Sequence, residues 1–248
     1  MRRRIGVLLA TLALAGAAWA GDAWKEKSYK DWDEKEVNKI LSDSPWARPV
    51  NVTATWRSAR VSALAPDTQR GGVAGQLAEA GEVGTNRNTP IADDSGAGDP
   101  EAHFVLRWGS ARTTRQALAR LAVLRGRSEA EAEKVLNLPV TEHQIVLYGA
   151  DMTPFAKSDE KSLMEKTFLK LKKNKQKISP SRVEIRRGQD GKRISGIVFF
   201  FPMKFEVGEP VIAPDEKGVE FECRTNNVNI RQSFEPQKMV GRGGPDFQ

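Results

Sequence analysis

Val50, Val52, Ala54 and Trp56 alternate with Asn51, Thr53 and Thr55. One face of that segment is apolar and the other polar, which predicts a strand with one solvated side. The same period of two returns further along. Phe104, Leu106 and Trp108 alternate with His103, Val105 and Arg107, and a short strand covers Ile145 to Tyr148. Arg182–Arg187 and Ile194–Phe201 flank Gly188-Gln189-Asp190-Gly191, and the Asp-Gly pair predicts a hairpin turn. The second of these strands is apolar on both faces and is expected inside a sheet. Val219–Arg224 and Val228–Phe234 flank Thr225-Asn226-Asn227 and form a second hairpin. Strands are thus expected to start near residues 50, 103, 143, 182, 194, 219 and 228.

Helical spacing appears between them. Asp33 with Glu36 is a capping-box pair, Trp32 and Val37 are spaced as a hydrophobic staple, and Val37, Ile40 and Leu41 form the apolar stripe. Ser42-Asp43-Ser44-Pro45 ends that helix. Ser110 is expected to cap a helix over 111–125, with Leu118, Leu121, Ala122 and Leu124 as its apolar face and Gly126 as its stop. Ser128 with Glu131 opens a second helix to about Asn137, making a helical hairpin packed on a sheet. Ser158-Asp159-Glu160 opens a third, with Met164, Phe168 and Leu171 on its buried face. Its last turn carries Lys170, Lys172, Lys173, Lys175 and Lys177 at the negative end of the macrodipole. The fold class expected is α+β: an antiparallel sheet or β-sandwich-like core with three or four helices.

Other stretches set the boundaries. Met1-Arg2-Arg3-Arg4, the apolar-to-small run Ile5–Ala17 and the triplet Ala18-Trp19-Ala20 form the three-part pattern of a secretory signal peptide, with cleavage before Gly21. The run of 13 residues is short for a membrane span, which needs ~20. After cleavage no apolar run is long enough to span a bilayer. Residues 21–61 are read as an aromatic lead-in, a helix and the first strand. Residues 62–101 are rich in Gly, Ala, Asp, Asn and Thr, and 79–101 carry six acids against one arginine. Such a segment buries too little apolar surface to offset its ordering entropy and is expected to be a disordered insertion, with a functional lid as the alternative. Residues 102–238 form the main α+β core, and 239–248 a flexible Gly-rich tail. One domain carrying an insertion is expected, with a two-domain split at the insertion as the alternative.

Charge and chemistry narrow the function by exclusion. The formal net charge of +7 falls to +4 once Arg2, Arg3 and Arg4 leave with the leader, so composition alone implies no nucleic-acid partner. Cys223 is the single cysteine, and the alternation Val219, Phe221, Cys223 predicts a buried, inert thiol. His103 and His143 are the only histidines, forty residues apart, and neither suits a zinc site of ordinary spacing. A Cys-His nucleophilic pair would need an exposed thiol with a cationic neighbour. No phosphate loop, dinucleotide fingerprint or nucleophile elbow occurs, and no cofactor, metal or catalytic residue is assigned. Asp93, Asp94, Asp151, Glu220 and Glu222 are the carboxylates that could run hydrolysis. Glu220 and Glu222 share a strand face and read more simply as its wet side.

Two biases remain. Residues 157–193 hold thirteen Lys or Arg against five Asp or Glu. They could form a polyanion patch, but a solvated helix end explains them as well, few aromatics interleave for base stacking, and weak or absent binding is expected. Trp24, Tyr29, Trp32, Trp46 and Trp56 crowd the lead-in, as a stacking surface or, more simply, as packing for one helix on a sheet.

Trp24-Lys25-Glu26-Lys27-Ser28-Tyr29-Lys30-Asp31-Trp32, followed by Asp43-Ser44-Pro45-Trp46-Ala47, resembles the start of a group of exported bacterial proteins sharing a W-x-x-K-x-Y-x-x-W lead-in and a D-S-P-W-A junction. The resemblance implies export and carries no activity. The function expected is a non-enzymatic binding or assembly module of the cell envelope, periplasmic or secreted, whose partner is an envelope protein or polymer and not a specific nucleic-acid sequence. The alternative is an exported hydrolase using loop carboxylates.

Overall fold

The computed structural model describes residues 22–53, 101–225 and 227–247. The expected leader, the expected insertion up to Pro100 and the end of the first predicted strand, Ala54–Trp56, lie outside those residues. In chain order the helices are α1 (Ala23–Glu26), α2 (Glu34–Ser42), α3 (Arg112–Leu124), α4 (Glu129–Leu136) and α5 (Glu160–Glu165). The strands are β1 (Ala47–Thr53), β2 (Glu101–Trp108), β3 (Glu142–Gly149), β4 (Thr167–Leu171), β5 (Lys177–Ile178), β6 (Arg182–Arg187) and β7 (Ile194–Pro202). They continue with β8 (Val219–Arg224), β9 (Asn229–Phe234), β10 (Val240–Gly241) and β11 (Gly244–Pro245). Every pairing is antiparallel, and the protein is α+β with a sheet core. Among the described residues no helix is long and apolar enough to cross a membrane.

All seven expected strands form. Together with β4 and β5 they make a five-stranded sheet, β1-β2-β3-β7-β6, and a four-stranded sheet, β5-β4-β8-β9. The inner faces meet through edge-to-face aromatic pairs: Phe199 with Phe221, centroids 5.2 Å apart, and Trp108 with Phe234 at 5.3 Å. The doubly apolar strand β7 lies between β3 and β6. It turns Ile197, Phe199 and Phe201 inward, while Phe200, on its other face, sits beneath the Arg182 guanidinium. Trp24, Trp32 and Trp46 join the same core as both sheets, so the lead-in aromatics serve packing.

Both capping boxes are present, Asp33 with Glu36 on α2 and Ser128 with Glu131 on α4. The remaining expectations are corrected by contacts from far along the chain. The third helix stops at Glu165, where Thr167, Leu169 and Leu171 begin to alternate and pair as β4 with Cys223, Phe221 and Val219 of β8. Cross-strand pairing with a buried partner overrides the helical reading of Met164, Phe168 and Leu171. Ser110 does not cap α3, since its hydroxyl accepts from Gln144 N. The cap is the Asp246 carboxylate, accepting from Arg112 N and Thr113 N at 2.6 Å each. The packed face of α3 runs through Thr114, Ala117 and Leu121, while Leu118 and Leu124 face solvent.

The segment 239–247 is not loose. Met239 and Phe247 are buried, and β10 pairs with β11. The cause lies in the core. Trp46 and Trp108 are fully buried, and a buried indole N–H requires an acceptor. The tail provides both acceptors, Asp246 O at 2.6 Å and Phe247 O at 3.1 Å. At the other boundary Glu101, placed by the sequence in the insertion, is the first residue of β2 and pairs with Thr53.

Candidate functional site

The outer face of the four-stranded sheet gathers the chain's most biased charges. On β4, Phe168 and Lys170 point away from the core, because Thr167, Leu169 and Leu171 point into it. The register sets Phe168 against Glu222 and Lys170 against Glu220, with Lys177 of β5 beside Lys170. Across β8, Glu222 faces Arg231 and Arg224 faces Asn229. Lys172 leaves β4 on the same side, its stem lying against Gly218, where an added Cβ would come within 3.2 Å of its Cδ. Lys170, Lys172, Lys177, Arg224 and Arg231 thus share one surface with Glu220 and Glu222, and Glu235, paired with Lys238, lies within electrostatic reach of Lys172 at its edge.

Glu222 organises the centre. Its side chain is only 3% exposed, covered by the two arginines. Arg224 pairs with Oε1, and Arg231 donates to Oε2 at 3.1 Å while also standing 3.8 Å from Glu220. Loss of water pushes the Glu222 carboxyl up, but the two guanidiniums outweigh that and hold it below the usual glutamate value. It is therefore ionised across the neutral range and offers no proton. Lys177 caps the Phe168 ring at 4.0 Å from the centroid. The expectation that Glu220 and Glu222 form the wet side of the strand is corrected for Glu222: Glu220 is part-exposed, whereas Glu222 is buried under its partners.

The other candidate residues are placed one by one. Lys173 and Lys175 belong to the β4–β5 turn: Lys173 pairs with Asp215 at 2.5 Å, and Lys175 holds a left-handed backbone, φ 60°. Asp151 accepts from Thr153 N at 3.0 Å and shapes the turn after β3. Asp93 and Asp94 lie outside the described residues. His103 meets Asn51 Oδ1 at 2.9 Å on the exposed side of β2. His143 is buried against Trp108, centroids 5.4 Å apart, and beside the Phe247 backbone. Burial lowers its pKa to about 4, so it is neutral. Cys223 is buried with Thr167 as its polar neighbour, and burial raises its thiol to about 11. Histidine and cysteine therefore face different partners and form no nucleophilic pair. Among the described residues no three His, Cys, Asp or Glu side chains gather as a metal site.

One buried cation was not anticipated. Arg107 is 5% exposed, and desolvation lowers its pKa. Its Nε donates to Leu41 O at 3.0 Å, and it lies 4.4 Å from the Tyr148 ring centroid, bonded to the phenol oxygen. Leu41 belongs to the last turn of α2, where the negative end of the helix dipole stabilises a cation. Among the described residues Arg107 is thereby accommodated by Leu41 O and Tyr148, and it holds α2 on the five-stranded sheet.

Arg224 and Arg231 are the site residues that spacing alone does not identify. Arg224 continues the Glu220–Glu222 face by alternation. Arg231 reaches Glu222 only once the hairpin register across Thr225-Asn227 is known. No protein-family model matches the chain, and no match was found among curated proteins or among solved structures.

Proposed function

We propose that the protein is a non-enzymatic binding or assembly module of the cell envelope, exported by its N-terminal leader, with the outer face of the four-stranded sheet as its working surface. The observation that carries the reading is Glu222. Carboxylate-based hydrolysis needs one carboxyl kept protonated as an acid beside an ionised partner. Here Arg224 and Arg231 keep Glu222 ionised, and Arg231 also attends Glu220. What this face presents outward is a set of fixed cations rather than an acid–base pair. The leader pattern and the resemblance of residues 24–47 to exported bacterial proteins support the setting.

Two measurements test this reading. Purified full chain is screened against glycoside, ester, phosphoester and peptide substrates, with no turnover expected. Turnover abolished by Glu220→Gln, Glu222→Gln or Asp151→Asn overturns it in favour of a hydrolase. Terminal sequencing of the protein from a bacterium that expresses it is expected to give Gly21 in the envelope fraction, and an intact Met1 in the cytosolic fraction removes the export half of the proposal.

A further inference from the structure

We propose that this sheet face docks a linear anionic polysaccharide, and that Glu222 acts as its positioning residue by holding Arg224 and Arg231 side by side. The proposal rests on the binding-module reading and names its ligand. The first support is charge complementarity. Lys170, Lys172, Lys177, Arg224 and Arg231 lie on this face with Glu220 and Glu222, and Glu235, paired with Lys238, stands at its edge within electrostatic reach of Lys172, so cations remain in excess among the described residues. Neighbouring strands lie about 4.8 Å apart and alternate residues along a strand ~6.6 Å apart, so the cations form a row of closely spaced charges that a linear polyanion can follow.

The second support is the shape and chemistry of the surface. Among the described residues this face carries no exposed large apolar side chain, since the exposed ones, Leu118, Leu124, Val135, Leu138 and Val207, lie elsewhere. A bilayer contact of any strength would need apolar insertion besides charge. Phe168 cannot insert, being half-buried and capped by Lys177. Among the described residues it is also the only aromatic ring on the face, which disfavours a nucleic-acid strand seated by stacked bases.

The third support is the price of Glu222 itself. Burying an acid under two arginines removes one positive charge from the net field of the face, which weakens long-range attraction. The compensation is order: two guanidiniums with defined positions lose less rotamer freedom on meeting sulfate or carboxylate groups. Charge counting and positioning therefore predict opposite signs for removal of the acid. If only charge matters, Glu222→Gln binds more tightly. If Glu222 positions the arginines, Glu222→Gln binds more weakly.

The experiment uses the full chain and heparin as the probe, with vesicles of phosphatidylglycerol and phosphatidylcholine as the parallel arm. Binding to heparin is expected in 50 mM salt and should fall roughly a hundredfold or more by 200 mM, as about five contacts release counterions. Lys170→Gln/Lys177→Gln should lower affinity about tenfold and reduce the salt slope by about two. Glu222→Gln should lower it about threefold or more, with Glu220→Gln as the reference that removes an acid without freeing both arginines. No heparin binding at 50 mM overturns the proposal, while the hydrolase screen judges the binding-module reading separately. Binding to vesicles without binding to heparin overturns it in favour of a lipid surface. Heparin binding unchanged by the lysine pair and by Arg231→Gln places the contact elsewhere and overturns it too. Tighter binding by folded Glu222→Gln overturns the positioning role. If that variant melts early, Arg224→Lys/Arg231→Lys, which keeps the charge but not the planar fork, replaces it, and unchanged affinity there is the overturning result.

Discussion

Trp46 donates its indole N–H to the carbonyl oxygen of Asp246, 2.6 Å away and 200 residues later in the chain. The same aspartate uses its carboxylate to cap α3, so one residue near the C-terminus ties the aromatic lead-in to the helical hairpin. Replacing Asp246 with Ala leaves Arg112 N and Thr113 N without their acceptor and should cost about 1–2 kcal/mol. Thermal unfolding should then begin some 2–8 °C lower. Trp46→Phe, which removes the donor and keeps most of the apolar surface, should lower the midpoint by a similar amount. Unchanged melting in both variants would mean that the tail is not fastened as described.

His143 makes stability depend on acid. Its pKa is about 4 in the folded protein, against about 6.5 when exposed. Between these values the unfolded chain binds a proton that the folded chain refuses, so stability falls as pH drops from about 6.5 and the loss levels off below about 4. The full effect is on the order of 3 kcal/mol. Urea titrations at pH 7, 5.5 and 4.5 should show this slope in the parent protein. They should show it largely flattened in His143→Leu, whose side chain has nothing to protonate.

Cys223 should be chemically silent while the protein is folded. Burial raises its thiol to about 11, so at pH 8 only about 0.1% is thiolate, and the side chain is also closed to reagents. Alkylation by iodoacetamide should proceed at the rate of global unfolding and become fast in 6 M guanidinium. Prompt labelling of native protein would place the thiol at the surface.

Local patterns carried the parts of this fold whose causes are local. Asp33 with Glu36 and Ser128 with Glu131 lie within a single helical turn, and Asp190-Gly191 turns the hairpin between β6 and β7. Failures came where the deciding partner is distant. Ser110 was a reasonable cap until Asp246 arrived from the far end of the chain, and Met239 and Phe247 looked loose because a Gly-rich stretch does not reveal two buried indoles in need of acceptors. The site divides the same way. Lys170, Lys172 and Lys177 stood out as a cluster, but as a helix end they had no surface in common with Arg224 and Arg231. Strand pairing gave them one.

The strand assignment of Thr167–Leu171 can be tested directly, because a helix and a strand bury different side chains. Met164, Phe168 and Leu171 are spaced to line a helix, whereas Thr167, Leu169 and Leu171 line one face of a strand. Leu169 and Phe168 tell the two apart most sharply, being the large side chains that exchange sides. In the structure Leu169 is fully buried opposite Phe221, and Phe168 lies on the outer face beneath Lys177. Leu169→Ala should therefore leave a core cavity and cost about 2–4 kcal/mol. Phe168→Ala, losing a half-covered ring and one cation–π contact, should cost no more than ~1.5 kcal/mol. The two midpoints, measured by chemical unfolding with equal m-values, should rank in that order. The reverse ranking would restore the helix and dissolve the basic sheet face with it, since Lys170 and Lys177 share a side with Arg231 only if β4 is a strand.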